Sequence, residues 1–238
     1  MTDKKPNSEI NVGDVKVELA DTSKSGSPVL KNVLIAAAAS VGILGLLFYG
    51  ATRKPHQLNS TLISKPAPVF DSQFSQGGRF SLAKMTQQNR WIVMNFWNRA
   101  CETCRVEAPD TERYYRKTIK NPDLPVYLSV NIKDTPNEIT SYTNQYGLSY
   151  PIILDSNGSI SLRYGVTGTP ETFFIDPQGV VRHKVAGLIS YKGVMENTIT
   201  NFISWLDKNP KATATEIQES YVKLMNATAQ SAYRSKEG

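Results

Sequence analysis

Two cysteines occur in 238 residues, and they stand two residues apart in NFWNRACETCRVEAPDTERYYRK, positions 95–117. Cys101 comes soon after RWIVMNFW, a continuous apolar run of the length and type of a strand buried on both faces. A helix is expected from about Glu102 to Lys120, which places Cys101 where that helix begins. Unsatisfied backbone N–H groups and the helix dipole stabilise an anion there. Such a position lowers the pKa of a thiol, and the thiolate is the attacking species. Cys104 falls within one helical turn, close enough to close a disulfide. A strand, then CxxC, then a helix within a βαβ pattern is a signature of thiol–disulfide exchange. Two unrelated structural cysteines would give no reason for this spacing.

Other chemistries fit less well. Two cysteines are too few for a disulfide framework. A structural zinc would need both of them plus His56 and His183, the only histidines, and His56 stands beside a long apolar segment. No metal is expected. The formal net charge is +6, and residues 1–31 hold five Lys and five acidic residues, so the surplus falls in the remainder. There is no dense Lys/Arg block interleaved with aromatics, so nucleic acid is not an expected partner.

The elements that must position the pair follow from pattern. Residues 1–31 read as a polar tail, although INVGDVKVEL alternates as a short strand would. Residues 32–52 carry no charge, and at ~1.5 Å per residue a helix there matches the hydrocarbon thickness of a bilayer. No clear A-x-A site follows, so an uncleaved signal-anchor is expected rather than a cleaved leader. Lysines and arginines flank the span equally, so charge leaves its orientation open. Residues 53–64 read as a linker, 65–207 as one domain and 208–238 as a helical extension.

Within the domain, GRFSL after Gly77-Gly78 and LPVYLSVNI read as strands, and TPNEITSYTNQYG reads as a helix ending at Gly147. PIILD is an extended run. ETFFID and VVRHKVAG flank PQG as a hairpin. YKGVMENTITNFISWLD has helical spacing, with Val194, Ile199, Phe202 and Trp205 on one side. TEIQESYVKLMNATAQSAY places Ile217, Tyr221 and Leu224 on one face of a last amphipathic helix, expected to pack on its own domain. The order of elements predicts an α/β sandwich around a mixed sheet.

Three ordered motifs then carry a resemblance: APVF at 67–70, NFW before CxxC, and GTPETFFIDPQG at 168–179. Over about residues 65–207 the chain resembles the membrane-anchored thioredoxin-like proteins of the TlpA, ResA and CcmG group. The resemblance implies a thioredoxin-like fold preceded by one transmembrane helix, and disulfide exchange outside the cytoplasm. It also implies a tail on the cytoplasmic side, and no cofactor beyond the redox-active Cys101–Cys104 pair.

Carried over by motif, Cys101 is the nucleophile and Cys104 the resolving thiol. Pro170 matches the family's cis-proline beside the CxxC, and the backbone of Thr169 would pair with an extended substrate. Glu107 matches a glutamate that shuttles protons, the alternative being a solvated helix carboxylate. Glu171 matches the PET of cytochrome-maturation members and would contact substrate, tune the local field or serve the structure. Asn95 stands where many cytoplasmic thioredoxins have a buried aspartate, and Trp97 is a packing residue.

Two departures concern the rim. Ala100 stands where the family usually has Trp, and the CxxC interior is Glu102-Thr103 with no proline. Glu102 opposes a thiolate, whereas Arg99 and Arg105 favour one. The expected partners are the membrane, protein disulfide substrates with apocytochrome c favoured, and a membrane protein that donates electrons through thiols. Two other oxidoreductase readings are a disulfide-forming oxidase and a thiol peroxidase, the latter opposed by a second cysteine at +3. A membrane-tethered binding or assembly module is the reading from another class, in which the cysteines are incidental.

Overall fold

A computed structural model describes residues 28–52, 60–189 and 193–234. The alternating segment at 10–19 and residues 53–59 of the linker lie outside them. The first unit of the chain contributes one helix, α1 (Pro28–Thr52). Its stretch Lys31–Tyr49 has a mean hydropathy of 2.0 and buries nothing against protein, so it is long and apolar enough to cross a membrane. The one hydroxyl in its middle, Ser40 Oγ, donates to the carbonyl of Ala36 one turn back at 2.9 Å, which satisfies it inside an apolar helix.

The second unit is built on a five-stranded sheet in the order β5-β4-β3-β6-β7. The strands are β3 (Ile92–Trp97), β4 (Val126–Ile132), β5 (Ile152–Asp155), β6 (Glu171–Ile175) and β7 (Val181–Ala186). β3, β4 and β5 run parallel, and β6 and β7 join antiparallel to them. Helices α3 (Glu102–Thr118) and α4 (Pro136–Tyr146) make the two crossovers. A separate hairpin, β1 (Asp71–Gln73) with β2 (Arg79–Ser81), turns through Gly77 and Gly78, both at positive φ. Helices α6 (Met195–Lys208) and α7 (Ala214–Arg234) close the domain. This is the α/β sandwich around a mixed sheet that the order of elements predicts, in the thioredoxin-like arrangement that the resemblance implies.

β3 lies at the centre, and all six of its residues are buried, which explains its unbroken apolar run. Its alternation divides the core. Ile92, Met94 and Phe96 face a layer with Phe70, Phe80, Tyr164 and Phe173. Trp91 and Val93 face Tyr114, Tyr127, Phe174, Phe202 and Tyr221.

Two short helices show no pattern in the sequence: α2 (Leu82–Thr86) and α5 (Ser159–Tyr164). Neither is long enough to display a period. α5 is started from a distance in sequence, because the Asp155 carboxylate at the end of β5 accepts from the N–H groups of Ile160 and Ser161 at 2.9 and 2.8 Å. α4 begins as its sequence predicts, on a capping box between Thr135 and Glu138, and ends on left-handed Gly147.

The inward face of α6 differs by one residue from expectation. Ile199, Phe202, Ile203 and Leu206 point to the core, while Trp205 is only partly buried. Spacing of i, i+3, i+4 and i+7 from Ile199 selects Leu206, and Trp205 falls at the edge of that stripe. α7 packs as predicted, with Ile217 and Tyr221 buried and Leu224 partly so, against the layer that holds Phe202 and Val185.

Candidate functional site

The chain leaves β3 at Trp97, turns through 98–100 and enters α3 at Cys101, which is its N-cap. Trp97 is buried, donates from Nε1 to Ser129 Oγ at 2.7 Å and packs on Tyr142 with ring centroids 4.9 Å apart. It acts as the packing residue expected of it. The turn is fixed by residues that no local pattern reveals. Arg99 N–H donates to Asp134 Oδ2 at 2.6 Å, and Asn131 Nδ2 donates to the same oxygen at 2.8 Å. Asn131 and Asp134 lie at the end of β4, more than thirty residues away in sequence, so their role is visible only after the strands pair.

Cys101 and Cys104 are joined by a disulfide with an S–S distance of 2.10 Å. The two sulfurs differ in environment. Cys101 is partly exposed, whereas Cys104 is 6% exposed within a cluster of Trp97, Ile139, Tyr142, Tyr150 and Ile152. Cys101 is the more accessible residue of the two. The backbone N–H of Cys104 donates to Cys101 Sγ at 3.0 Å, so the first turn of α3 points a donor at the sulfur where negative charge would form. Behind Cys104 the aromatic wall continues from Tyr142 to Tyr146 at 4.7 Å. Burial raises the Tyr142 hydroxyl to about 12, so it stays neutral in ordinary conditions.

The charges expected to compete at the helix start are paired off. Glu102 is bound by Arg105, and Arg99 is bound by Glu138 at 2.8 Å. Neither arginine is left to act on the sulfur alone, and Glu102 does not face it as an uncompensated anion.

Thr169 and Pro170 come to the same place from the start of β6, joined by a cis peptide bond. The Thr169 carbonyl oxygen lies 3.3 Å from Cys101 Sγ. Thr169 also lines an open cleft of about 440 Å³, together with Asn98, Lys133, Asn157, Leu162 and Val166.

The two glutamates are not at the surface. Glu107 is 3% exposed, and its Oε1 accepts from the backbone N–H of Ile189 at 2.7 Å. The solvated-carboxylate reading of Glu107 is thereby corrected: α3 turns it inward, against the segment after β7. Burial raises the Tyr221 hydroxyl above its ordinary range, and the nearby Glu107 acts in the same sense.

Glu171 is 2% exposed. Its Oε1 accepts from Thr167 Oγ1 at 2.8 Å and from Thr167 N–H at 3.3 Å, and its Oε2 lies 2.8 Å from Lys184 Nζ. Oε2 faces the Lys184 ammonium as a buried ion pair without an aligned hydrogen bond, an arrangement that fits the structural and field-tuning readings of Glu171. Asn95 is likewise buried and donates from Nδ2 to Thr172 Oγ1 at 2.9 Å across the β3–β6 pair. An amide there satisfies a buried hydroxyl without bringing in charge.

Comparison with known proteins agrees with this geometry. The AhpC/TSA family matches residues 63–184. The thiol:disulfide interchange protein DsbE of Pseudomonas aeruginosa is 32% identical over 163 residues, covering 68% of this chain and 87% of that protein. The protein of the same name from Escherichia coli K12 is 30% identical over 178 residues, covering 74% and 83%. Among solved structures, a putative thiol:disulfide interchange protein DsbE from Chlorobium tepidum superposes with a TM-score of 0.51 at 21% identity, covering 60% of this chain and 96% of that one. This last likeness is one of fold.

Proposed function

The chain belongs to the AhpC/TSA family, and from that premise we propose that it is anchored by α1 and reduces disulfides of exported proteins through Cys101 and Cys104, with the apocytochrome c CxxCH motif as favoured substrate. Thiol–disulfide oxidoreductase activity is what it shares with its interchange-protein relatives. The observation that carries the reading is the asymmetry of the two sulfurs: Cys101 is accessible at the start of α3, and Cys104 is buried behind it.

The reaction follows from that asymmetry. Starting from the dithiol, the Cys101 thiolate attacks one sulfur of a substrate disulfide. The substrate S–S bond breaks, a Cys101–substrate mixed disulfide forms, and the departing substrate thiolate takes a proton. Cys104, once deprotonated, attacks Cys101 Sγ. The mixed disulfide breaks, the Cys101–Cys104 bond forms, and the second substrate thiol leaves. Two electrons pass from the pair to the substrate, so the oxidised pair is the end point of one turnover.

Another thiol protein must then return two electrons to the pair. An extracytoplasmic reductase works where the general thiol poise is oxidising, so the donor is a membrane protein that relays electrons from cytoplasmic thiols. This orients the tail inside and the thioredoxin-like domain outside. Substrate binds along the Thr169–Pro170 backbone. Glu107, three residues beyond Cys104, moves the proton that Cys104 must lose.

The test is the reduction potential of the Cys101–Cys104 pair, equilibrated against defined thiol buffers. A value near or below about −250 mV supports a reductase, whereas one near about −120 mV makes the dithiol the more stable form and reverses the direction to disulfide formation. Replacing Cys101 with Ser abolishes function under this reading. A tethered module with incidental cysteines would retain it.

A further inference from the structure

Lys184 stands on β7, away from the CxxC in sequence, and no motif singles it out. A lysine on an edge strand ordinarily extends into water. Here the side chain is only 6% exposed. Its Nζ lies 2.8 Å from Glu171 Oε2, donates to the Gly165 carbonyl at 3.0 Å and sits 5.5 Å from the centroid of the Phe173 ring. The ammonium has exchanged water for a carboxylate, a carbonyl and an aromatic face.

These contacts converge on one short stretch of chain. Gly165 stands at its start, Glu171 at its end, and Thr167 between them is bound to Glu171 through both its hydroxyl and its N–H. Between Thr167 and Glu171 lie Gly168, Thr169 and Pro170, with the Thr169 carbonyl 3.3 Å from Cys101 Sγ. Lys184 and Glu171 therefore clamp both ends of the loop that meets the reactive sulfur. A buried ion pair is a poor way to gain stability, because desolvation offsets most of its attraction and an apolar pair of the same volume serves as well. It does fix geometry, since breaking it leaves a charge with no water to turn to.

We propose that Lys184 is a positioning residue for disulfide exchange: by holding Glu171 and the Gly165 carbonyl, it sets the Thr169–Pro170 backbone at the distance from Cys101 at which a substrate segment is bound. The proposal rests on the reading of Cys101 as the exchanging thiol. Lys184 touches neither substrate nor sulfur, and its effect passes through Glu171 and Thr167.

The experiment measures steady-state reduction of a disulfide-bonded CxxC peptide by the full-length protein in detergent, with a small-molecule dithiol in excess to re-reduce the Cys101–Cys104 pair and its direct reduction of the peptide subtracted, for wild type, Lys184→Met, Lys184→Arg and Thr167→Val, with folding followed by circular dichroism. Lys184→Met should raise KM for the peptide by about tenfold and change kcat much less, the pattern expected when binding geometry is lost and the chemistry is kept. Lys184→Arg should recover most of that loss, because it returns the cation and its donors. Thr167→Val should raise KM by about threefold, since one neutral hydrogen bond to the carboxylate is removed.

A folded Lys184→Met protein with wild-type KM overturns the proposal, as does a loss confined to kcat. If Lys184→Met does not fold, the other two variants decide: an unchanged KM in Thr167→Val overturns it, and a raised KM there with near-normal Lys184→Arg supports it. Absence of peptide reduction by the wild-type protein would instead defeat the underlying reading of the Cys101–Cys104 pair.

Discussion

The Thr169 carbonyl oxygen stands 3.3 Å from Cys101 Sγ, and the Cys104 N–H reaches the same sulfur at 3.0 Å. The two contacts act in opposite senses. A thiolate at Cys101 is stabilised by the amide and repelled by the carbonyl, whereas a thiol can donate to the carbonyl. The disulfide carries no charge and tolerates both. The sulfur therefore meets one group that favours the thiolate and one that opposes it.

The roles of the two sulfurs can be separated. Cys104→Ser leaves an accessible nucleophile and removes the group that resolves it, so it should accumulate a mixed disulfide with a substrate peptide, visible by mass on a non-reducing gel. Cys101→Ala should form none, because the remaining thiol is buried. A Cys104→Ser protein that traps nothing and still reduces at the normal rate would falsify the assignment.

Glu107 combines a scaffold role with a proposed catalytic one, and two substitutions divide them. Glu107→Ala removes the acceptor of the buried Ile189 N–H and should cost about 1–3 kcal/mol of stability in denaturant titration. Glu107→Gln keeps an acceptor but cannot carry a proton. It should unfold close to wild type, yet slow exchange by about tenfold or more and flatten its pH profile. An unchanged profile leaves Glu107 with the scaffold role alone.

His183 predicts an acid sensitivity unrelated to the cysteines. It lies on β7 among Phe174, Phe202 and Tyr221, and burial alone lowers its pKa from 6.5 to about 4. Between those values the unfolded chain binds more protons than the folded one, so stability rises with pH through the window and is lost on acidification. From pH 7 to pH 5 the wild-type protein should lose about 2 kcal/mol more than His183→Phe. Glu112, Glu138 and Glu216 have lowered pKa values and act in the same direction, but only as pH falls below about 4.5, outside this window. Equal pH dependence of the two proteins between pH 5 and 7 would defeat the prediction.

The sequence by itself determined the elements whose signals are local. Six residues of β3 are buried on both faces, so apolarity alone announces them. α4 carries its start in Thr135 and Glu138 and its stop in Gly147. Cys101 and Cys104 declare their chemistry by spacing at a strand–helix junction, and Pro170 by a motif. Tertiary structure decided whatever depends on side chains meeting across the sheet. A glutamate three residues after CxxC reads equally as a proton shuttle or a solvated helix carboxylate, and only the packing of the segment after β7 onto α3 turns Glu107 inward. Glu171 reads equally as a substrate contact, a tuner of the local field or a structural residue, and its ion pair with Lys184 appears only when β7 comes alongside β6. Asp134 and Asn131 acquire their hold on the turn before Cys101 only when β4 pairs with β3. Periodicity reports which face of an element is apolar, but the partner of a buried charge is set by strand order and register, to which local sequence is blind.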